Sequence, residues 1–252
     1  MRTRVIPILL LHKGGLVKSV KFKNYQYIGD PINAVRVFNH KEVDELTLID
    51  IDATREGRSP HIKEITDIVS EAFMPVSYGG GITTLDEIKS LLFNGVEKII
   101  LNKQAYHNPA LITKAASRFG SQSVVVSIDV KKNFFGLKKI YINNGSKPVE
   151  LDLVAYAKRL EEAGAGELLI NSIDRDGTYM GYDLALLETI TKAVGIPVIA
   201  CGGASCVEDM IKAKKSGASA LAAGSMFVFQ RPHNAVLISY LNALQIKEIN
   251  NV

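Results

Sequence analysis

The chain of 252 residues contains no tryptophan, only two cysteines and no long apolar run. Because the two cysteines, Cys201 and Cys206, are too few for a disulfide framework, we expect a cytoplasmic protein. The apolar run at 5–11 contains Pro7 and lacks a small-residue cleavage site, so it predicts a buried strand and not a signal peptide. No stretch is long enough to span a bilayer, and the sequence therefore predicts no membrane partner.

A strong charge imbalance, metal-ligand spacing and a dinucleotide fingerprint are also missing. The net charge is only +4, which is too small to indicate a nucleic-acid partner. The five histidines are scattered without the spacing of metal ligands, and no G-x-G-x-x-G motif follows the first apolar run. We therefore expect neither a metal nor an organic cofactor.

What the sequence does contain is a regular alternation of two patterns. Eight short apolar runs, rich in β-branched residues, are separated by segments with helical periodicity. The runs lie at 5–11, 46–51, 74–78, 97–101, 123–130, 166–173, 196–200 and 218–223, and the helical patterns lie at 33–43, 61–72, 84–94, 109–119, 151–163, 183–194, 206–216 and 232–245. This alternation implies parallel strands with crossover helices, and eight units in this length predict one closed α/β barrel of the (β/α)₈ type over 1–252. An open doubly wound sheet is the alternative fold.

An internal repeat with an offset of 122 residues supports the barrel. Gly79-Gly80-Gly81 corresponds to Cys201-Gly202-Gly203 at this offset. The chain is therefore interpreted as two half-barrels, about 1–121 and 122–252. A longer segment at about 131–150 follows the fifth strand and could form a hairpin.

Glycine clusters at the ends of the third and seventh runs indicate anion binding. Gly79-Gly80-Gly81 and Gly202-Gly203 precede helical segments, and ligands of such barrels bind at the carboxyl ends of the strands. Glycine lets the backbone approach a ligand, and free N–H groups at a helix start attract anions. The alternative is that both glycine clusters only form tight turns. Because the two clusters occupy equivalent positions in the repeat, we favour a substrate with an anionic group at each end. The adjoining ends of the fourth and eighth runs add Asn102, Lys103, Gly224 and Ser225.

We call each glycine cluster with its neighbouring strand end a cradle. Carboxylates between the two cradles are candidates for proton transfer. Asp129 ends the otherwise apolar fifth run, which favours a general acid or base, whereas a helix cap or a salt bridge with Lys131 or Lys132 is the alternative. Asp174 and Asp176 follow the sixth run, and one of them is expected only to order its loop. The wider set of candidate contacts consists of Asp50, Asn171, Ser172, Asp174, Asp176 and Gly177.

Several of these motifs resemble the cyclase subunit, HisF, of imidazole glycerol phosphate synthase. The motif Ile173-Asp174-Arg175-Asp176-Gly177-Thr178 is the most specific, and the segments 79–82, 163–167, 202–204 and 222–227 also match. The similarity extends from Ile6 to near residue 241, almost the whole chain. The resemblance implies a TIM barrel with a lyase activity of the synthase type.

In that family, ammonia released by a glutaminase partner passes through the barrel and attacks a bis-phosphorylated aminoimidazole ribonucleotide. The resemblance therefore implies a heterodimer with a HisH-like glutaminase. Aspartates at the ends of strands one and five act as acid and base. Asp129 matches the second aspartate, but Leu10 stands at the first, and His12 is the nearest possible stand-in. Lys103 stands where the family usually has threonine, beside the first cradle.

The opposite end of the barrel retains the charged residues of the family's ammonia gate. Arg4, Glu45, Lys98 and Glu167 stand at strand starts and match that gate, with ordinary surface charges as the alternative. An intact gate with an altered reaction centre resembles a divergent branch of the family, which occurs in surface-polysaccharide gene clusters and works with a sugar amidotransferase. A non-catalytic ammonia conduit and the sibling aminoaldose–aminoketose isomerase are the alternative functions.

Overall fold

A computed structural model describes residues 2–252. The strands in this part of the chain are β1 (Arg4–His12), β2 (Gly15–Val20), β3 (Lys23–Gly29), β4 (Leu46–Asp50), β5 (Val76–Gly79), β6 (Lys98–Leu101), β7 (Val124–Lys132), β8 (Lys138–Ile142), β9 (Lys147–Val149), β10 (Glu167–Ser172), β11 (Val198–Cys201), β12 (Ala220–Ala223), β13 (Phe229–Gln230) and β14 (Ala235–Val236). The helices are α1 (Pro31–His40), α2 (Ala53–Glu56), α3 (Ile62–Val69), α4 (Leu85–Phe93), α5 (Lys103–His107), α6 (Ala110–Phe119), α7 (Leu153–Glu162), α8 (Leu184–Thr191), α9 (Val207–Lys215), α10 (Ser225–Val228) and α11 (Ala243–Asn250). None of these helices combines the length and the apolar character that crossing a bilayer requires.

Eight of the strands close a parallel barrel, which confirms the predicted (β/α)₈ fold. β1, β4, β5, β6, β7, β10, β11 and β12 pair with their neighbours in that order, and β12 pairs back with β1. Each predicted apolar run overlaps one of these strands, and helices lie between consecutive barrel strands. The closed ring of pairings excludes the open doubly wound sheet.

The interior of the barrel is apolar between its two ends. Successive residues of a strand point to opposite faces, so alternate side chains face the axis and the others face the helices. Along β1 the axial side chains are those of Ile6 and Ile8, with Leu10 packed beside them near the carboxyl end. The complete inner cluster contains Ile6, Ile8, Ile100, Val125, Leu169, Ile199, Ala220 and Ala222. This layer separates the polar residues at one end of the barrel from those at the other.

Two antiparallel hairpins extend beyond the barrel at the carboxyl ends of β1 and β7. β2 pairs with β1 and β3, and β8 pairs with β7 and β9, so the hairpin expected within 131–150 is formed. The Lys21 N–H in the first hairpin donates to the Asp176 carbonyl at 2.9 Å. The Asn144 side chain in the second hairpin donates to the Ile51 carbonyl. Both hairpins therefore cover the same end of the barrel.

The helix predicted over 232–245 is wrong. α10 is followed there by the β13–β14 hairpin, and α11 begins only at Ala243. Pro232 lacks a backbone donor and Asn234 has a φ of 50°, which suits a turn and not a helix. Asn242 and Gln245 then form a capping box that starts α11.

Candidate functional site

A cavity of about 290 Å³ opens at the carboxyl ends of the barrel strands. All eight strand ends contribute to its wall, and Phe22, Tyr25 and Asn144 of the two hairpins cover part of it. The sequence-predicted residues that line it are Asp50, Gly80, Gly81, Asn102, Lys103, Asp129, Asn171, Asp176, Gly177, Gly202, Gly203, Gly224 and Ser225. The fold therefore brings both glycine cradles and Asp129 to one cavity.

Ser172 and Asp174 were also candidates from the sequence, but neither lines the cavity. Ser172 is buried, and its carbonyl accepts hydrogen bonds from the N–H groups of Arg175 and Asp176. The Asp174 carboxylate accepts a hydrogen bond from the Lys132 N–H at 2.7 Å and so connects the loop after β10 to the end of β7. Asp174 is thus the aspartate that orders this loop, because Asp176 faces the cavity.

Asp129 is a buried carboxyl group near the end of β7, with 8% of its surface exposed. Asn102 Nδ2 donates to its carboxylate at 3.1 Å, and Ser127 Oγ donates at 3.4 Å. Among the described residues it takes part in no ion pair, so the salt bridge with Lys131 or Lys132 is not formed. Its contacts are those of a group held in place by neutral donors.

The surroundings of Asp129 prepare it for proton transfer. Burial raises the pKa of Asp129 to about 7, although hydrogen bonds from Ser127, Asn171 and Asn102 act in the opposite direction. The nearby Asp176 carboxylate adds to the increase through its like charge. A carboxyl group with this pKa can both accept and donate a proton near neutral pH.

Lys18 in β2 is a cavity residue that the sequence did not identify. Its side chain is buried, and its ammonium group donates to the Ile8 carbonyl on β1. A Cβ added at Gly224 would lie 2.6 Å from Lys18 Nζ, so this glycine makes room for the ammonium group. Burial lowers the pKa of Lys18 to about 8, with an opposing effect from Asp176. The only sequence signal was a lysine directly after the apolar pair Leu16-Val17, and such a lysine usually faces solvent.

The first glycine cradle lies where β5 leads towards α4. Gly80 and Gly81 have φ values of 124° and 71°, and a side chain at Gly80 would collide with the backbone of Asp50. Arg58 Nη1 lies 2.9 Å from Asp50 Oδ2, so its charge is already matched. Lys103 begins α5, lines the cavity and forms no ion pair in the described part of the chain. The unmatched ammonium group beside a glycine turn suits an anionic ligand.

The second cradle lies at the ends of β10 and β11. Gly177 and Gly203 have φ values of 68° and 104°, and a side chain at either would collide with neighbouring backbone. Ser19 Oγ donates to Asp176 at 3.0 Å, and burial raises the pKa of that carboxyl group. Lys18 supplies the cation of this cradle, so each side of the cavity offers glycine backbone and one lysine.

β1 contributes no carboxyl group to the cavity. Leu10 lines it at the position where the resemblance implied an aspartate. His12, the possible stand-in, does not line the cavity, because its Nδ1 lies 2.9 Å from Asp52 Oδ1. Its ring also lies beside Tyr25, with 5.2 Å between the ring centroids. His12 therefore holds the first hairpin against the loop after β4 and leaves the missing acid without a replacement on this strand.

Four charged side chains form a ring at the opposite end of the barrel. Arg4 bonds to Glu45 and lies 2.7 Å from Glu167. Lys98 Nζ lies 3.0 Å from Glu45 and 3.4 Å from Glu167. Ser77 Oγ donates a further hydrogen bond to Glu45 at 2.7 Å. Each cation therefore contacts both carboxylates, which four independent surface charges would not do.

The cavity suits proton transfer better than thiolate chemistry. Among residues 2–252, His, Cys, Asp and Glu side chains form no group of three or more that could hold a metal ion. Cys201 lines the cavity, but burial raises the pKa of its thiol and keeps it protonated. Of the three carboxyl groups in its wall, Asp129 has a pKa of about 7 and lies between the two cationic cradles.

Known proteins resemble this chain over most of its length. Residues 4–232 match the sequence model of the family described as "Histidine biosynthesis protein". A Pseudomonas aeruginosa protein provisionally named imidazole glycerol phosphate synthase subunit hisF2 is 51% identical over 241 residues, which cover 95% of this chain and 96% of the relative. A Vibrio vulnificus protein provisionally named subunit hisF3 is 46% identical over 95% of this chain and 93% of its own length. Imidazole glycerol phosphate synthase subunit HisF of Alkaliphilus metalliredigens is 40% identical over 89% of each chain.

Proposed function

Since the chain belongs to the histidine biosynthesis protein family, as a HisF-type subunit of the imidazole glycerol phosphate synthase kind, we propose that it uses ammonia from a partner glutaminase. The observation that carries this proposal is the order of groups along the barrel axis. A ring of paired charges is followed by an apolar interior and then by a buried carboxyl group in a cavity. Ammonia is small and neutral, so it can cross an apolar layer that excludes ions.

The glutaminase would dock at the end of the barrel that holds the charged ring. Phe73 lies three residues before the start of β5, and Phe93 ends α4 before β6, so both lie near the amino-terminal ends of barrel strands. They are 90% and 77% exposed. Exposed aromatic side chains at the same end of the barrel as a ring of charges are suited to a protein partner, because aromatic residues are enriched at such interfaces. The ring formed by Arg4, Glu45, Lys98 and Glu167 would act as the ammonia gate.

In the cavity, Asp129 would serve as the acid–base group. When ammonia attacks an electrophilic carbon, it must lose a proton, and Asp129 would accept that proton and return it to the leaving group. The two cradles would hold a substrate with two anionic groups, one beside Lys103 and Gly81 and the other beside Lys18 and Gly177. Asn102 and Ser127 would keep the carboxyl group oriented through the bonds described above.

Leu10 favours a changed acceptor for the ammonia. The family reaction is expected to need a second carboxyl group at this position, and an alkyl side chain can neither donate nor accept a proton. We propose that the ammonia instead serves the amidation of a polysaccharide sugar, together with a sugar amidotransferase, in the cytoplasm. The retained charged ring supports the supply of ammonia, and the altered cavity supports the change in its use.

Complementation of a histidine auxotroph that lacks the cyclase tests this proposal. We expect no growth with the unmodified chain, and growth with Leu10→Asp if the missing carboxyl group is the only obstacle. Leu10→Asn has nearly the same shape as the aspartate but cannot exchange the proton, so it is the matched control. Growth with the unmodified chain would show that the family reaction persists despite Leu10.

A second candidate function is a conduit that passes ammonia to the amidotransferase without chemistry of its own. The absence of an acid at Leu10 favours this reading as well. The two candidates differ in their predictions for Asp129→Asn in an assay of glutamine-dependent amidation that contains this chain, the glutaminase and the amidotransferase. The first predicts that the variant abolishes amidation, and the second predicts that the rate of amidation is unchanged. Glutamate release, measured in the same assay, shows whether the glutaminase itself is still active.

A further inference from the structure

The turn between β7 and β8 exposes a large apolar surface that neither the cavity nor the charged ring uses. Phe134, Phe135 and Leu137 are 98%, 82% and 60% exposed. The two phenyl rings contact each other edge to face, with their centroids 5.7 Å apart. Single exposed apolar residues are ordinary, but three on one protruding turn call for a partner that removes them from water.

The turn is a formed structure and not a loose loop. Asn133 Oδ1 accepts hydrogen bonds from the N–H groups of Phe135 at 3.0 Å and Leu137 at 2.9 Å. The Asn133 N–H donates to the Leu137 carbonyl at 2.8 Å, and the Gly136 N–H donates to the Asn133 carbonyl at 3.0 Å. Backbone groups that are satisfied within the turn can enter an apolar medium at low cost, because they lose no hydrogen bond to water.

Lysines surround this apolar tip on both sides. Lys131 and Lys132 precede it, and Lys138 and Lys139 follow it. The segment 131–150 contains five lysines and one glutamate, so its net charge of +4 equals that of the whole chain. Lys138 and Lys139 pair with Asp183 and Glu150, whereas Lys131 and Lys132 form no ion pair within residues 2–252. Two of the four lysines that flank the tip, Lys131 and Lys132, therefore keep a positive charge at its base that is unpaired in the described part of the chain.

We propose that this turn is a peripheral membrane anchor, in which the lysines contact anionic lipid headgroups while Phe134, Phe135 and Leu137 enter the bilayer surface. A few apolar side chains supported by basic residues suffice for reversible binding to such a surface. A stable protein interface takes about 800 Å² from each partner, which three side chains on a convex turn do not supply. The sequence predicted no membrane partner from the lack of a spanning segment, but a peripheral contact does not need one.

The anchor would orient the whole barrel. The turn extends from the carboxyl end of β7, the end at which the cavity opens, so bound protein would face the bilayer with its cavity. The charged ring at the other end would face away, free for a soluble partner. The inference does not depend on the proposed function, and it suits any acceptor that is held at a membrane.

Fluorescence of single-tryptophan variants tests the proposal directly, because the chain has no tryptophan of its own. Phe135→Trp places the reporter at the turn, and Phe73→Trp places it at a similarly exposed site at the opposite end of the barrel. With vesicles of phosphatidylcholine containing one third phosphatidylglycerol, we expect the Phe135→Trp emission to shift to shorter wavelength and the Phe73→Trp emission to stay constant. A shift at position 73 alone, or at neither position, would overturn the proposal.

Co-sedimentation with the same vesicles separates the apolar and the basic contributions. We expect Phe134→Ser/Phe135→Ser to lower the partition coefficient at least about tenfold. Lys131→Gln/Lys132→Gln should lower the partition coefficient about fivefold for each lysine. Added salt should also lower the partition coefficient of the unmodified chain. Phe73→Ser/Phe93→Ser is the matched control and should leave the partition coefficient unchanged. Equal binding to pure phosphatidylcholine would refute the headgroup contact, and a Phe135→Trp shift that requires a protein partner would assign the turn to a protein interface.

Discussion

The two ends of the barrel treat buried charge in opposite ways. At the amino-terminal end, Arg4 and Lys98 each contact both carboxylates of the ring, and Glu45 is 2% exposed. At the carboxyl end, Asp129 and Lys18 are also buried, but within residues 2–252 neither forms an ion pair. Burial moves the pKa of Asp129 up to about 7 and the pKa of Lys18 down to about 8. The first end pairs its buried charges with one another, and the second leaves Asp129 and Lys18 without an ion-pair partner among these residues.

We infer from this difference that the first set of groups holds the structure together and that the second set serves a ligand. A buried charge without a partner costs several kcal/mol, and its pKa shifts towards the neutral form as a result. Such groups persist at functional sites because a substrate supplies the missing partner or because the shifted pKa is itself useful. Replacement of a buried carboxylate by the neutral amide should therefore lower the free energy of unfolding at the amino-terminal end and raise it at the carboxyl end.

Glu45→Gln gives the largest expected effect on stability. It removes one carboxylate from the ring and leaves the buried ends of Arg4 and Lys98 with Glu167 alone, which should lower the free energy of unfolding by about 3–5 kcal/mol. Urea titration measures this change. Glu71→Gln breaks the exposed pair with Arg36, which has two hydrogen bonds of 3.0 Å, and should cost less than about 1 kcal/mol. Equal effects of the two changes would mean that the ring is no more than a surface network.

Asp129→Asn should raise the free energy of unfolding, whereas Glu45→Gln in the ring should lower it. Because its pKa is raised from 3.8 to about 7, the folded chain binds more protons than the unfolded chain between these values, and stability falls as pH rises through them. Above pH 7 the carboxylate should therefore destabilise the fold by about 2–4 kcal/mol, which the amide relieves. The gain should be present at pH 8 and vanish at pH 4. Urea titrations of both proteins at the two pH values check this, and a gain that does not depend on pH would contradict it.

The barrel was predictable from the sequence because each of its strands is recognisable locally. A short apolar run must be buried on both faces, and the offset of 122 residues between the two glycine clusters predicted that both would lie at one end. The helix predicted over 232–245 failed because Ala235–Val236 pair with Phe229–Gln230 across a turn in which Asn234 has a positive φ, and helical periodicity does not reveal such a pairing. The strand ends, and with them Asp129, Asn102 and Lys103, followed from the fold.

The rest of the site could not be predicted, because it depends on contacts between distant parts of the chain. Lys18 enters the cavity only because the first hairpin folds over the barrel, where Lys21 N–H bonds to the Asp176 carbonyl. Nothing near Lys18 in the sequence indicates that contact. The distinction between Asp174 and Asp176 likewise depends on which carboxylate meets the end of β7.

We expect inorganic phosphate to bind near Lys18 and Lys103, the two cavity lysines without an ion-pair partner within residues 2–252. Phosphate at about ten times its dissociation constant should stabilise the protein by about 1.4 kcal/mol if it binds only the folded state. Lys18→Met should remove the stabilisation that arises at the second cradle, and Lys103→Met that at the first. Lys192→Met changes an exposed lysine on the outside of the barrel and is the matched control. Thermal unfolding with and without phosphate measures all three, and full stabilisation of the Lys18→Met/Lys103→Met double variant would place the anion elsewhere.

The smallest expected effect on stability concerns the exposed aromatic residues. They test whether the two ends of the barrel bind different partners. Phe73→Ser should change the free energy of unfolding by less than about 0.5 kcal/mol, because its side chain is 90% exposed. It should nevertheless weaken binding of the glutaminase about tenfold, since a central aromatic contact at an interface contributes more than about 1 kcal/mol. Phe135→Ser, at a similarly exposed position of the other end, should leave that affinity unchanged. Titration calorimetry with the purified glutaminase distinguishes the two variants, and an equal loss of affinity for both would mean that the glutaminase does not choose between the ends of the barrel.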